Sequence, residues 1–405
     1  MDFDDTPDQG RLRAHVRQFL IEHDSELAHG DGAYLEEPGT DRVDALRRTQ
    51  AALFDAGLVG LTWPEAYGGG GGTNAQQAVV NEELHRARIA GLVGHVGLGM
   101  CGPTVLRHGS EDQKQRYIRR LLRADDLWCQ LFSEPGSGSD LAALRTKAVR
   151  HDDGWHVEGQ KVWTTLAQHC RYGILLARTD PDAPKHRGLT MFVIDMESPG
   201  VTVRPLRQMN GHHSFNEVFL DDVVIADSER LGDVDDGWRV ALTTLMNERM
   251  AVGGGGGELG IRSDVLVAHA AKRLPELSDD RRTLAVQALG RVLVESLAAR
   301  YTGYRLQTTM EKGGHPGPEA SAGKLTAVRV AHATADLGQR LLGADAVAAR
   351  SREGDWRWAT SQASSPGIAL AGGTDEILRN ILGERVLGLP PDRIPARPAD
   401  PSESR

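Results

Sequence analysis

The sequence predicts an α+β fold in which a run of helices gives way to a run of strands and then to helices again. Three observations carry this. Apolar residues recur at helical spacing before about Asp126 and after about Asp235, they alternate in between, and no strand-helix-strand repeat suggests a doubly wound sheet. The implied division is an all-helical N-terminal domain over 1–126, a middle β-barrel or sheet domain over 127–232, a helical bundle over 233–390 and a flexible tail over 391–405.

Each element has its own reason. In VDALRRTQAALFDAG, Val43, Leu46, Ala51 and Leu53 fall near one helical stripe and Gly57 stops it. NAQQAVVNEELHRA starts behind Thr73, a cap residue, and EDQKQRYIRRLLR carries its acids first and its arginines late, as the helix dipole favours. The YGGGGG tract at Tyr67 to Gly72, between the first of these helical stretches and the second, reads as a mobile loop. From Leu127 the texture becomes β: WHVEGQKVWTT alternates around a turn at Gly159, followed by RYGILLART, GLTMFVID, VTVRPL and FNEVFLDDVVI. Helical spacing then resumes in WRVALTTLMNERMAV, RTLAVQALGRVLVESLAARYTGY and TDEILRNILGERVLGL, the last ending at Gly388 before Pro390.

The 405 residues, 40 % of them hydrophobic, can bury a sizeable core. A net charge of -9 argues against a general nucleic-acid binder, which needs a basic face. The start, MDFDDTPDQG, lacks a basic and apolar leader pattern, and no stretch approaches 18 uninterrupted apolar residues, so no membrane span and a cytoplasmic location are expected. Cys101, Cys129 and Cys170 are odd in number and widely spaced, which suggests neither a disulfide framework nor a zinc site. With no HExxH and with His212 and His213 adjacent, no metal centre is expected.

Gly255, Gly257 and Gly260 formally satisfy the dinucleotide fingerprint GxGxxG. The context excludes it, because that motif follows a strand, whereas WRVALTTLMNERM has helical spacing. Four other segments could carry chemistry. QLFSEPGSGSDLAALRT offers amides and hydroxyls to an electron-rich ring or phosphate, although such composition also makes an ordinary turn. Trp163 could stack on a flat heterocycle while Thr164 or Thr165 bonds its edge, or could be a half-buried strand residue. Glu248 shares a helix face with Ala241 and Leu245, so burial would raise its pKa toward that of a general base; an ion pair with Arg249 is the alternative. Gly372 and Gly373 precede Thr374, an N-cap followed by Asp375 and Glu376, where exposed amides could bind an anion or carbonyl, or simply open a capped helix.

Taken in order from about Val43 to Pro390, GLTWPEAYGG, NEELHRA, GPTVLRHGSEDQKQRY, QLFSEPGSGSDLA, GQKVWTT, LLARTDP, FNEVFLDDV, TTLMNER and GGTDEILRNILGERVLGLP resemble the acyl-CoA dehydrogenase family. That resemblance implies a helical domain, a β-domain and a C-terminal four-helix bundle with FAD between them. It implies that Gln130 to Ser139 wrap the isoalloxazine, with Phe132 and Ser133 near the ring, Gln130, Leu131 and Gly138 also binding the cofactor, and Ser139 close to the thioester or the flavin. Trp163, Thr164 and Thr165 would flank the flavin, Thr374 and Glu376 would contact the rest of FAD, and Arg249 and Gly373 would face the substrate. The implied reaction is α,β-dehydrogenation of an acyl-CoA, or of an acyl-carrier-protein thioester, with an electron-transferring flavoprotein as acceptor and a homodimer, homotetramer or heterotetramer as the assembly.

The sequence departs from the family pattern twice. Where many members carry the base just before the Gly-Thr of the last motif, this chain has Gly372, and the resemblance to a minority of members moves the base to Glu248. The Arg-x-x-Phe-Gly stretch that often holds a neighbouring subunit's FAD is missing between Arg262 and Arg300. These departures leave two further readings, a non-catalytic or half-site subunit of a heteromer and an oxidase or monooxygenase on the same fold.

Overall fold

The computed structural model describes residues 4–30, 39–253, 259–311, 317–318, 320–348 and 356–391. Gly255 and Gly257 of the rejected fingerprint, and residues 392–405 of the expected tail, lie outside them.

The first third is helical: α1 Pro7–Glu22, α2 Thr40–Asp55, α3 Asn74–Arg86, a π-helical turn Gly97–Cys101, α4 Gly102–His108 and α5 Glu111–Arg123. Thr73 and Gln76 close a capping box on α3, and Ser110 and Gln113 close one on α5, so orphan amides at both helix starts are satisfied by the chain itself. The glycine tract is not a loose loop. The amides of Gly69, Gly70, Gly71 and Gly72 donate to Pro64, Gly60, Trp63 and Leu61 at 3.0, 3.1, 2.9 and 2.7 Å. A Cβ on Gly69 would overlap the Trp63 carbonyl, so glycine serves close backbone approach here. Gly69→Ala is therefore expected to destabilise the protein by about 1–3 kcal/mol in urea denaturation, where a mobile loop would tolerate it.

Eight strands follow: β1 Trp128–Leu131, β2 Lys147–His151, β3 Gly154–Thr165, β4 Tyr172–Arg178, β5 Leu189–Asp195, β6 Val201–Leu206, β7 Phe215–Ile225 and β8 Arg230–Leu231. They order as β6-β7-β3-β2-β4-β5-β8, with β1 parallel to β4. β3 runs straight through Gly159 rather than turning there; the register slips between Val157 and Gly159, where a Cβ would collide with Thr146. β4 and β5 read as continuous apolar runs because both faces are covered. Ile174, Leu176, Met191 and Val193 face the core shared with the N-terminal helices, while Leu175, Ala177, Phe192 and Ile194 face the interior of the β-domain.

The chain then returns to helix, with α6 Gly237–Gly253, α7 Ser263–Arg273, α8 Asp279–Glu311, α9 Ala320–Leu342, α10 Asp345–Ala348, α11 Trp356–Leu370 and α12 Asp375–Arg385. α9 is central, packed against α6, α7, α8, α11 and α12. Val240 and Ala241 of α6 join the first core, which anchors this helix to both earlier domains. Among the described residues, no helix is long and apolar enough to cross a membrane, and no group of His, Cys, Asp and Glu could hold a metal ion.

Candidate active site

Three segments from different parts of the chain converge beside α6. The first begins in β1, whose parallel pairing with β4 fixes Gln130 opposite Ile174. Leu131 and Phe132 turn their side chains into the cores, with Phe132 only 3 % exposed, so these two residues can meet a ligand only through their backbone. Ser133 is partly exposed, while Gly138 and Ser139 are open to solvent. Nothing lies within 4 Å of a Cβ built on Gly138.

That loop is welded to β3 by a buried ion pair that sequence reasoning missed. Lys161 Nζ, fully buried, donates to Glu134 Oε1 at 2.9 Å and to the Phe132 carbonyl at 3.1 Å. Glu134 also accepts the amides of Arg145 and Thr146 at 2.7 and 2.8 Å, and Val162 N–H donates to the Ser133 carbonyl at 2.9 Å. A signal did exist: Lys161 has the same strand parity as buried Trp155 and Val157, a place where a lysine needs a partner.

Between Lys161 and Thr164 the β3 register shifts against β7, a bulge that puts Trp163 at φ 62°. Trp163 consequently stands 59 % exposed, edge-on to Phe215, next in the chain to Val162, whose amide joins β3 to Ser133. Thr165 is partly exposed, and Thr164 is buried with Oγ1 lacking a protein partner. Gln130 Oε1 is a second buried oxygen without one. Open space at Gly138, an outward indole on β3 and partnerless oxygens on β1 and β3 together fit a flat ring with hydrogen-bonding edges, as FAD has.

Glu248 meets this assembly from α6. It shares the face of buried Ala241 and partly buried Leu245, as the helical spacing predicts. Gln130 Nε2 approaches its Oε2 at 3.4 Å, and the Gly372 N–H donates to it. Burial raises its pKa above the usual carboxylate range, against the opposing pull of Gln130, the Gly372 amide, Arg249 and Lys324. Arg249, next along the helix, is partly buried, and that burial lowers its pKa while Glu248 works the other way. The Gly372–Gly373 turn, with φ 68° and 92°, brings the third segment in. Thr374 caps α12 by accepting the Ile377 amide at 3.3 Å, and exposed Glu376, lowered by its own backbone amide and by Thr374, belongs to the same cap.

The structure thus brings Gln130 to 3.4 Å from Glu248, with the Gly372 amide favouring the charged form of that carboxylate, while Ser133 is joined to β3 next to Trp163. It gives Arg249, Ser139 and Glu376 no hydrogen bond to Glu248 among the described residues.

Comparison with known proteins adds an independent line. Three family models match in order: acyl-CoA dehydrogenase N-terminal domain over residues 6–125, middle domain over 129–223 and C-terminal domain over 235–387. Acyl-CoA dehydrogenase IpdE1 of Mycobacterium tuberculosis is 34 % identical over 95 % of this chain and 98 % of its own length. Acyl-CoA dehydrogenase FadE34 of the same organism is 40 % identical over 85 % of this chain, which spans about half, 46 %, of that longer relative. Among solved structures, the Tcur3481-Tcur3483 steroid ACAD superposes with a TM-score of 0.81 at 26 % identity, covering 96 % of this chain and 100 % of that one.

Proposed function

The chain belongs to the acyl-CoA dehydrogenase family of FAD-dependent oxidoreductases, and from that premise we propose that Glu248 is the base that starts α,β-dehydrogenation of an acyl thioester. The observation that carries this reading is the Glu248 carboxylate, raised by burial and held by Gln130 and the Gly372 amide where the three segments meet. Gly372 has no side chain to take a proton, so a carboxylate from the facing helix fills that role.

In the reaction, Glu248 takes the α proton, the electrons of that C–H bond form the new double bond, and the β hydrogen leaves with its electron pair. Bound FAD supplies the two-electron acceptor. The residues that would hold it are the backbone of Gln130 to Ser133, Gly138 and Ser139, the Trp163 ring, and the hydroxyls of Thr164 and Thr165, with Thr374 and Glu376 toward its far end. Arg249 and Gly373 border the space for the thioester. Burial suits Glu248 to this work, since a base whose pKa lies nearer the operating pH holds the abstracted proton more strongly.

The steroid ACAD among the structural relatives supports a bulky, ring-bearing acyl group on CoA. Electrons then pass to an electron-transferring flavoprotein. Leu284, Val294, Leu297 and Tyr301 expose apolar surface along α8, which supports an oligomer, homomeric or heteromeric, as the working form.

The test is the visible spectrum of the chain purified alone, followed by anaerobic titration with straight-chain, branched and steroid-bearing acyl-CoAs. A yellow protein bleached best by a ring-bearing thioester is expected. A yellow protein that no thioester bleaches overturns the reading, and a colourless one means that a second chain completes the flavin site.

A further inference from the structure

Lys324 stands on α9 with its side chain fully buried and satisfies its ammonium with three acceptors. Nζ donates to the Ala369 carbonyl at 3.0 Å, to the Gly373 carbonyl at 3.1 Å and to Asp375 Oδ1 at 3.2 Å. Ala369 lies in the last turn of α11, where carbonyls lack helical partners, and Asp375 lies in the first turn of α12. One cation therefore spans the junction between two helices.

The chain at that junction is Gly372–Gly373, both in left-handed backbone and both without side chains to pack. Glycine pairs have the widest conformational choice of any dipeptide, so the direction of the Gly372 N–H is set from outside. That amide favours the charged form of Glu248.

We propose that Lys324 is a positioning residue for α-proton abstraction, clamping the Gly372–Gly373 turn so that its amide meets Glu248 and setting the charge that this carboxylate experiences from behind the turn. The inference rests on Glu248 being the base. The ionisable groups facing Glu248 are Arg249 on its own helix, Lys324 from α9 and the buried Cys101 thiol at the end of the π-helical turn; Gln130 and the Gly372 amide complete its surroundings. Asp375 tempers Lys324, being its only carboxylate partner at the junction among the described residues.

The proposal predicts opposite effects from two variants. Lys324→Met keeps the buried stem but deletes the cation, so Glu248 should ionise at higher pH; Asp375→Asn leaves the cation unopposed, so Glu248 should ionise at lower pH. Two readouts serve. Anaerobic flavin bleaching of holoenzyme by an acyl-CoA, followed against pH, should be roughly tenfold slower in Lys324→Met at neutral pH and recover in alkali. The Glu248 carboxyl band, isolated by infrared difference against Glu248→Gln without any acyl-CoA, should titrate with the same displacement. Lys324→Arg should restore part of the wild-type profile.

If Lys324→Met does not fold, the acid-ward displacement in Asp375→Asn remains to be observed. Rates lowered equally at every pH with an unmoved infrared titration would assign Lys324 a purely structural role and overturn the proposal. Normal bleaching by Glu248→Gln would instead overturn the base assignment, while the infrared titration would still report on the Lys324–Glu248 coupling.

Discussion

Glu248→Gln is expected to give a yellow protein that binds acyl-CoA and stays oxidised, with anaerobic bleaching slower by about 10²–10⁴-fold, the range that a positioned general base supplies. The amide matches the carboxylate in shape and can still meet Gln130 and the Gly372 N–H, so the flavin wall should stand. In the wild-type protein the bleaching rate should rise with pH as Glu248 ionises, and the rise should lie above the ordinary carboxylate value of 4.5 because burial raises the group. The same burial gives a stability signature. A carboxyl raised in the folded state is stabilising while protonated, below its unfolded pKa, and that contribution is lost as pH rises through the folded value. Above the folded value the ionised Glu248 is therefore a burden that glutamine removes, so at such pH Glu248→Gln should melt at or above the wild-type temperature while losing activity. A variant that bleaches normally places the base elsewhere, and one that is colourless makes Glu248 part of the flavin site instead.

Much of this was legible because it depends on local periodicity and capping. Thr73 with Gln76 and Ser110 with Gln113 announced two helix starts, and the two-faced burial of β4 and β5 follows from their unbroken apolar runs. Glu248 was legible as a carboxylate out of place beside Ala241 and Leu245. What escaped depends on partners distant in sequence. The glycine tract looked loose because composition cannot distinguish glycine chosen for freedom from glycine chosen so that the backbone can pass Trp63. The outward aim of Trp163 arises from a bulge against β7, where Lys161 pairs Val218 and Thr164 pairs Asn216, and a bulge belongs to two strands. Phe132, implied as a neighbour of the flavin, turns its side chain into the core, so it can meet a ligand only through its backbone. Lys161 and Lys324 both occupied apolar parity, on a strand and on a helix face shared with Ala327, Val328 and Ala331. A buried lysine was readable there; the acceptors, 27 and 29 residues away for Lys161 and 45 to 51 for Lys324, were not.

Lys161→Met should be the most damaging single change in the β-domain. It leaves the Glu134 carboxylate buried with only amides for partners and strips the Phe132 carbonyl of its donor, and breaking a buried pair in this way costs about 3–5 kcal/mol. The loss falls on the segment that carries Ser133 and Gly138, so the variant should emerge colourless as well as unstable, read by the flavin absorbance at purification and by a urea midpoint. Replacing both partners, Lys161→Met with Glu134→Gln, removes the stranded charge and should recover a large part of the stability. Flavin retention in that double variant then separates two roles. If colour returns with stability, the pair acts only as a weld; if the protein folds yet stays pale, the Lys161 contact to the Phe132 carbonyl shapes the flavin wall itself. Acid gives a second check on the same pair. Burial opposes the Glu134 charge, but Lys161 and the amides of Arg145 and Thr146 outweigh it and hold the carboxyl below its ordinary 4.5. A carboxyl lowered in the folded state contributes stability that is complete above the unfolded value and fades as pH falls through the folded one. Wild-type stability should therefore drop on acidification below about pH 4.5, and Glu134→Gln should show a shallower acid slope; an identical slope would mean that the pair does not act as a charge pair in the fold.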